Sequence, residues 1–168
     1  MRVYPLPVSG GTPGVCCDGG VAAHISPQKR SLYQLPVGLY RIGLGRLLGR
    51  RFLCLEHLGR TSGLTRRTVL EVIAHEGGKP VVPVAFGAAT DWYRNLLAQP
   101  SARITWGGVA GPVTAQVLDE TEAAGVLVRY VADHRWAARS LDRLVGLGLV
   151  DDPAAAARKL SLIRLATT

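Results

Sequence analysis

The chain has 168 residues, 48% of them hydrophobic, with a formal net charge of +8 and a pI of about 10.0. This length and apolar content are those of one domain with a proper core. The positive charge favours an anionic partner such as nucleic acid, a membrane surface or a phosphorylated small molecule.

The cysteines and the first residues indicate a reducing compartment. Three cysteines are present, two of them adjacent at Cys16 and Cys17, and no CxxC motif occurs. Neither a zinc site nor a redox pair is therefore predicted. The N-terminus has no basic stretch followed by an apolar one, and no run reaches about 18 apolar residues. We therefore expect a cytoplasmic protein without a membrane-spanning helix.

Residues 1–34 are rich in Gly, Pro and Ser and show no apolar period, which is typical of disorder. We therefore expect a disordered extension over 1–34 and one folded domain over 35–168. Residues 36–49 carry a helical apolar stripe. A helix packed on the core is the favoured interpretation, and peripheral membrane contact through residues 36–51 is the alternative.

The remaining elements follow in an order typical of a small antiparallel barrel. Strands are predicted over 51–58, 66–76 and 77–87, a helix capped by Asp91 over 91–101, a hairpin over 102–118, helices over 120–134 and 136–147, a turn or helix over 153–159, and a strand over 160–166. Gly-Gly turns connect both hairpins. We predict an α+β fold in which about six antiparallel strands form a barrel with peripheral helices.

The segment 59–68 contains more charged and hydroxyl side chains than a hairpin turn needs. It holds three arginines and four hydroxyl side chains, namely Arg60, Arg66, Arg67, Thr61, Ser62, Thr65 and Thr68. Like charges this close repel one another unless an anion lies among them, and arginine forks, hydroxyls and turn amides bind phosphate or carboxylate oxygens. The alternative, which spacing leaves open, is a solvated turn whose arginines pair with Glu56, Glu71 or Asp91.

Residues 84–97 form a second candidate site. A strand is expected to end at Phe86-Gly87, and a helix begins after a short loop, so that free amides at the helix N-terminus are available to a ligand. Trp92 and Tyr93 would lie beside them. The alternative is that both aromatics are core residues and that Asn95 bonds locally.

Residues 129–136 are a third candidate, because Tyr130, His134 and Trp136 could form a polar aromatic wall. The alternative is an ordinary helix. The sequence shows no Gly-x-Ser-x-Gly elbow, no paired carboxylates and no metal-ligand spacing. If the protein is an enzyme, we therefore expect a cofactor to carry the reaction.

Two blocks, "FLCLEHLGRTSGLTRRTVLEVI" and "VVPVAFGAATDWYRNLLAQPSARITWGG", resemble the deazaflavin-dependent nitroreductase family. That family has a Gly-Arg-polar-Ser-Gly turn, then basic residues and Thr, and then a Trp-Tyr-x-Asn-Leu helix before Pro. The resemblance covers residues 36–166. It implies a split β-barrel that binds coenzyme F420, an 8-hydroxy-5-deazaflavin with a phosphodiester and an oligoglutamate tail.

The resemblance also implies which residues bind. The turn and the basic residues would hold the phosphate and the acidic tail, and the ring would lie near the strand end and the Trp-Tyr helix. The implied cofactor-binding residues are Arg60, Thr61, Ser62, Gly63, Arg66, Arg67, Thr68, Phe86, Gly87, Asp91, Trp92, Tyr93 and Asn95. Tyr130 is the candidate proton donor or substrate-wall residue. Thr61 departs from the pattern, since many members have lysine or arginine there.

The resemblance implies an oxidoreductase that transfers a hydride from reduced deazaflavin to a small electron-poor acceptor, namely a quinone, an enone or a nitro compound. FMN is the alternative cofactor because related split barrels bind it, although three arginines favour a longer acidic tail. A non-catalytic F420 or FMN carrier is the alternative function. A nucleic-acid binder is disfavoured because no aromatic ladder accompanies the charge. A homodimer is compatible with the resemblance.

Overall fold

The computed structural model describes residues 49–167. The predicted extension over 1–34, the helix over 36–49 and the membrane contact over 36–51 therefore lie outside the described residues, apart from residues 49–51. Arg50 and Arg51 make contacts within the protein: the Arg50 guanidinium lies 4.8 Å from the Trp106 ring centroid, and Arg51 pairs with Glu71 at 3.1 Å. No helix within the described range is long and apolar enough to cross a membrane.

Within this range the chain forms seven strands and four helices. The strands are β1 (Phe52–Leu58), β2 (Thr65–Glu71), β3 (Ala74–Glu76), β4 (Lys79–Pro83), β5 (Ser101–Trp106), β6 (Val109–Val117) and β7 (Leu162–Thr167). The helices are α1 (Asp91–Ala98), α2 (Glu120–Asp133), α3 (Arg135–Val145) and α4 (Pro153–Ala157).

The strands form one curled antiparallel sheet in the order β2-β1-β5-β6-β7-β4-β3. Its two edge strands, β2 and β3, follow one another in the chain. Val72 N still donates to Arg51 O at 2.7 Å, whereas Ile73 N donates to Val81 O at 3.0 Å. The chain thus changes partners between these two residues, and the sheet curls into a split barrel. The predicted α+β split barrel is confirmed.

Two predicted strand bounds are wrong. The single strand expected over 66–76 is two strands, because the backbone leaves β1 and joins β4 at residues 72 and 73, so the sheet has seven strands instead of about six. The strand expected over 77–87 ends at Pro83, and turns occupy much of the segment from 84 to 90. The hydrophobic periodicity of the sequence does not reveal the division at residues 72 and 73 or the strand end at Pro83, because the residues on both sides of each break are apolar.

Both predicted hairpins are confirmed. Gly77 and Gly78 connect β3 to β4, and Gly107 and Gly108 connect β5 to β6. All four have positive φ, between 55° and 84°. This is the conformation of the two-residue turns that match strand twist.

Strands β4 and β7 are buried on both faces of the sheet. Neighbouring residues on a strand point to opposite sides, and Val81 and Leu162 pack towards the helices while Val82 and Ile163 pack inside the barrel. One core therefore fills the barrel, and a second lies between the sheet and α2, α3 and α4. Helix α2 begins with a capping box, in which Asp119 accepts a hydrogen bond from Glu122 N at 2.8 Å.

Candidate functional site

The turn between β1 and β2 is a closed loop over residues 59–64. Gly63 N donates to Gly59 O at 2.7 Å, and Gly59 N donates to Leu64 O at 2.8 Å. Leu64 N donates to Ser62 Oγ at 3.3 Å. A Cβ on Gly59 would lie 2.7 Å from Ser62 Oγ, so only glycine allows Ser62 to fold back in this way. The loop leaves Arg60, Thr61 and Ser62 exposed.

Asn95 of helix α1 forms hydrogen bonds with this turn. The Asn95 side chain is 4% exposed, and its Oδ1 accepts from both Arg60 N and Arg60 Nη1, each at 3.0 Å. Its Nδ2 lies 3.1 Å from His57 Nδ1. The structure therefore brings Asn95 to the arginine turn, where the Asn95 amide is already engaged by protein groups.

Asp91 also reaches the turn. Its Oδ1 lies 2.9 Å from Arg60 Nη1. The prediction that Asp91 caps the helix is wrong: Thr90 is the N-cap residue, and Asp91 is the first residue of α1. A carboxylate at this place repels an anion, so Asp91 belongs to the candidate site as the residue that orients Arg60. Both contacts of the Arg60 guanidinium use Nη1, and Nε and Nη2 meet no acceptor among the described residues.

The other two arginines lie on β2 and not in the turn. Adjacent strand residues face opposite sides, and Arg66 lies opposite His57 while Arg67 lies opposite Glu56. Arg67 Nε is 2.7 Å from Glu56 Oε1. Arg66 is exposed and makes no ion pair with a carboxylate of residues 49–167. Thr68 follows Arg66 on the same face. The expected single cluster of three arginines is therefore divided between two faces, and the alternative ion pairs form at Arg60 and Arg67.

The loop before α1 is a chain of turns. Gly87 N donates to Val84 O at 3.0 Å, and Thr90 donates to Gly87 O through N at 3.2 Å and through Oγ1 at 3.0 Å. Gly87 has a φ of 79°, while a Cβ there would meet nothing within 4 Å. The backbone conformation, and not crowding by protein atoms, requires glycine here.

A cavity of about 330 Å³ opens beside this loop. Its walls are Val84 to Gly87 on one side, the end of α3 and Leu147 on the other, and Lys159 and Leu160. Small-molecule sites in proteins occupy roughly 300–1,000 Å³ and are mostly apolar with a few polar groups. The volume of the cavity is at the lower end of this range, and its accessible lining is about equally polar and apolar, with Lys159 beside apolar side chains.

The two aromatics of α1 have different surroundings. Tyr93 is 7% exposed and belongs to the barrel core, which is the alternative stated above. Trp92 is half-buried and packs on the same core, with its ring centroid 6.1 Å from that of Tyr93. Trp92 therefore lies at the border of the core and is partly accessible.

Tyr130 lies away from the arginine turn. It is 4% exposed, in the core beneath α2, and its hydroxyl has no hydrogen-bond partner among the described residues. Burial, and next the negative charge of Glu71, raise the pKa of the Tyr130 hydroxyl. Glu71 pairs with Phe52 at the far end of the β1–β2 hairpin, roughly 20 Å of strand from the turn. His134 contacts Tyr130 with ring centroids 5.9 Å apart, and Trp136 is 73% exposed.

His57 is the site residue that sequence reasoning missed. It is 5% exposed and contacts Asn95, 38 residues away. Burial, as the largest cause, lowers the pKa of His57 below its usual 6.5. The available signal was its spacing, because Leu53, Leu55 and His57 alternate along one strand and therefore face the same interior.

Comparisons with known proteins agree with this architecture. The model of the family described as F420H(2)-dependent quinone reductase matches residues 33–140. No curated protein matches the sequence.

Several solved structures are similar to the chain. One is an F420-H2 dependent reductase (FDR-A), with 20% identity and a TM-score of 0.50 over 70% of this chain and 95% of the other. Another, described as a domain-swapped dimer, has 19% identity and a TM-score of 0.51 over 77% and 98%. A Clostridium acetobutylicum protein related to general stress protein 26, of the pyridoxinephosphate oxidase family, has 12% identity and a TM-score of 0.50 over 77% and 84%. At these identities the similarity concerns the fold alone.

Proposed function

Because the chain belongs to the F420H(2)-dependent quinone reductase family, it is an F420-dependent oxidoreductase, and we propose that it reduces a small electron-poor acceptor. The acceptor classes are a quinone, an enone and an aromatic nitro compound. When bound, reduced F420 supplies the hydride. The protein contributes binding, orientation and exclusion of water.

The proposal rests mainly on the surroundings of Arg66. It is an exposed arginine without a carboxylate partner among residues 49–167, on the same face as Thr68 and beside the turn that holds Arg60. The Nε and Nη2 atoms of Arg60 meet no acceptor among the described residues. Two guanidinium groups with open donors suit a phosphodiester and a carboxylate tail. We therefore assign the tail to Arg60 and Arg66, assisted by the hydroxyls and amides of residues 61–63 and by Thr68.

The cavity beside Phe86 and Gly87 is our candidate for the ring and the acceptor. Its volume of about 330 Å³ suits a flat ring or a small acceptor but not a cofactor with its whole tail. The loop from Gly87 leads directly into α1, whose Asp91 and Asn95 contact the arginine turn. One short helix thus connects the proposed tail site to the proposed ring site.

Tyr130 is our candidate for the proton that accompanies the hydride. Its hydroxyl lacks a hydrogen-bond partner among the described residues and, like any tyrosine hydroxyl, is protonated at neutral pH. A neutral buried hydroxyl donates a hydrogen bond to an acceptor oxygen. Tyr130 does not line the cavity, so this role requires the acceptor to reach the core beneath α2.

A homodimer is part of the proposal. The similarity to the structure described as a domain-swapped dimer supports it. Light scattering of the purified protein should give twice the monomer mass of 17.9 kDa, and a single species at that monomer mass would exclude the dimer.

Binding and turnover test the function separately. Titration of the purified protein with F420, and separately with FMN, should show tighter binding of F420. The oxidation of reduced F420 is then followed with a quinone, an enone and an aromatic nitro compound. Turnover with at least one acceptor class supports the reductase, whereas tight binding without turnover of any would identify a carrier.

A further inference from the structure

Four polar side chains form a continuous hydrogen-bonded chain at the end of β1. His57 contacts Asn95, Asn95 contacts Arg60, and Arg60 contacts Asp91, at 3.1, 3.0 and 2.9 Å. His57 and Asn95 are both buried. These contacts join the strand, the helix α1 and the arginine turn through one amide side chain.

The donors of Arg60 determine the protonation state of His57. Asn95 Oδ1 accepts from both the backbone N–H and the Nη1 of Arg60, so the Asn95 NH2 group must face the imidazole. That group only donates, and His57 Nδ1 must therefore accept. The ring proton is on Nε2, and His57 is neutral while this arrangement persists.

We propose that His57 is a positioning residue for cofactor binding: its neutral ring holds Asn95, and through Asn95 it holds Arg60 in the orientation that receives the anionic tail. The inference rests on the proposed function, since it takes the arginine turn as the tail site. His57 itself need not touch the cofactor.

Protonation of His57 breaks this arrangement. With a proton on Nδ1, the ring and the Asn95 NH2 group would both donate, and two donors facing each other in a buried place are unfavourable. Asn95 could serve the charged ring only by turning its Oδ1 towards it. Its NH2 group would then face the two donors of Arg60, and Arg60 would keep only its pair with Asp91.

The groups around His57 set the pH range. Arg66 faces it from β2, and Asp91 and Asn95 reach the region from α1, with Arg60 in the turn. Burial lowers the pKa most, a backbone hydrogen bond at Leu58 raises it, Arg66 lowers it and Asp91 raises it, and the result lies below 6.5. The unfolded chain therefore binds the proton more readily, and the folded arrangement is complete above about pH 6.5 and is lost as the pH falls through the lowered pKa.

Direct electrostatics predicts the opposite pH dependence. A charged imidazole near the tail would attract its anionic groups, so affinity would rise in acid. Positioning through Asn95 predicts that affinity falls in acid. The sign of the pH dependence therefore separates a positioning role from a simple charge effect.

Two substitutions separate the acceptor atom from the titrating ring. His57→Asn retains an acceptor near the place of Nδ1 but does not titrate, and His57→Leu removes the acceptor. His75→Asn, at an exposed position on β3, is the matched control. The dissociation constant for F420 is measured by equilibrium dialysis at pH 7.5, 6.5 and 5.5, and circular dichroism at each pH establishes that the variants are folded.

At pH 7.5 we expect His57→Leu to bind F420 about tenfold more weakly, the effect of one lost hydrogen bond, and His57→Asn to bind within about threefold of the wild type. The wild-type affinity is divided by that of His57→Asn to cancel titration of the ligand, and this ratio should fall as the pH drops through the lowered pKa of His57, which an NMR titration of the ring locates. If His57→Leu does not fold, the pH dependence of this affinity ratio, measured on the wild type and His57→Asn, still tests the inference.

A ratio that stays constant or rises as His57 becomes protonated would overturn the inference, as would a folded His57→Leu variant with wild-type affinity. Nitrogen NMR gives an independent result, because Nδ1 of His57 should have the shift of an unprotonated ring nitrogen at pH 7.5. A protonated Nδ1 would also overturn it. If the wild type binds no F420 at pH 7.5, the proposed function fails and the inference with it, whereas failure of the substitutions or the pH series in a protein that binds F420 refutes the inference alone.

Discussion

At the scale of single residues, the surroundings of each arginine decide what it can bind. Arg67 is neutralised by Glu56, and Arg60 is partly neutralised by Asp91. Arg66 has no such carboxylate among the described residues and lies beside the buried His57. A like charge beside a buried imidazole favours the neutral ring, so Arg66 is suited both to an anionic ligand and to the His57 arrangement.

Arg66→Ala and Arg67→Ala should therefore differ. A charge-assisted hydrogen bond contributes about 1.5–3 kcal/mol, so Arg66→Ala should weaken F420 binding by about tenfold to a hundredfold. Arg67→Ala, on the opposite face, should stay within about twofold. Equilibrium binding of the two folded variants measures this. Equal losses of F420 affinity in the two variants would show that the tail does not bind preferentially to the face of β2 that carries Arg66.

Tyr130→Phe removes only the hydroxyl that lacks a partner. Because an unsatisfied buried polar group is unfavourable, the free energy of unfolding should stay constant or rise by up to about 1 kcal/mol. If the hydroxyl serves the acceptor, turnover of reduced F420 should fall by roughly a hundredfold, while F420 affinity is unchanged. Denaturant unfolding and steady-state kinetics test both parts. Unchanged turnover would leave Tyr130 as a core residue alone.

At the scale of elements, helices α1 and α2 are fastened to the sheet by different means. Helix α1 uses the uncharged amide of Asn95 and the pair between Asp91 and Arg60. Helix α2 is joined to the sheet by Arg164 of β7, which donates to Glu122 at 3.0 Å and to Glu76 of β3 at 2.8 Å. Arg129 of α2 also contacts Glu76. This ion-pair network holds the helix that carries Tyr130.

Arg164→Met should destabilise the protein, because the Arg164 side chain is only 15% exposed and joins two strands to a helix. We expect a loss of about 1–3 kcal/mol in the free energy of unfolding. Arg158→Met is the matched control: its pair with Glu120 spans 3.7 Å with both side chains about 60% exposed, and such pairs contribute little. Urea unfolding of both variants measures the difference, and equal effects would contradict a structural role for the network.

At the scale of the whole molecule, closure of the barrel places the candidate site. The sheet curls so that the chain passes directly from one edge strand, β2, to the other, β3. The two faces of the sheet pack against separate cores. The tail site lies at the β1–β2 turn, and the cavity lies between the loop after β4 and the end of α3. Every group assigned to the site belongs to residues 49–167.

A chain that begins at Tyr33 should therefore retain its fold and its cofactor affinity. The family model starts to match at residue 33, and the composition of residues 1–34 cannot bury enough apolar surface to offset the entropy of ordering. The melting temperature and the F420 dissociation constant of the truncated protein should equal those of the full chain. A large loss of either would mean that the segment packs on the domain or covers the site.

Local chemistry in the sequence accounted for much of the fold. Gly-Gly pairs predicted both hairpins, the helices predicted over 91–101, 120–134 and 136–147 correspond to α1, α2 and α3, and the Gly-Arg-Thr-Ser-Gly turn followed by the Trp-Tyr-x-Asn-Leu helix indicated the F420 family. Turn types and helix periods depend on interactions between residues a few positions apart, so they are visible in a short stretch of chain.

Contacts between distant residues needed the tertiary structure. The change of partner at Val72 and Ile73 follows from the curling of the sheet. The ion pairs of Arg67 with Glu56 and of Arg60 with Asp91 join separate elements, and the contact of His57 with Asn95 joins residues 38 positions apart. A pattern along the chain contains no distance between such groups. The register of β1 and β2 decides that Arg67 is neutralised by Glu56 and that Arg66 lies opposite His57. The packing of α1 against the end of β1 decides the partners of Arg60 and the contact that keeps His57 uncharged.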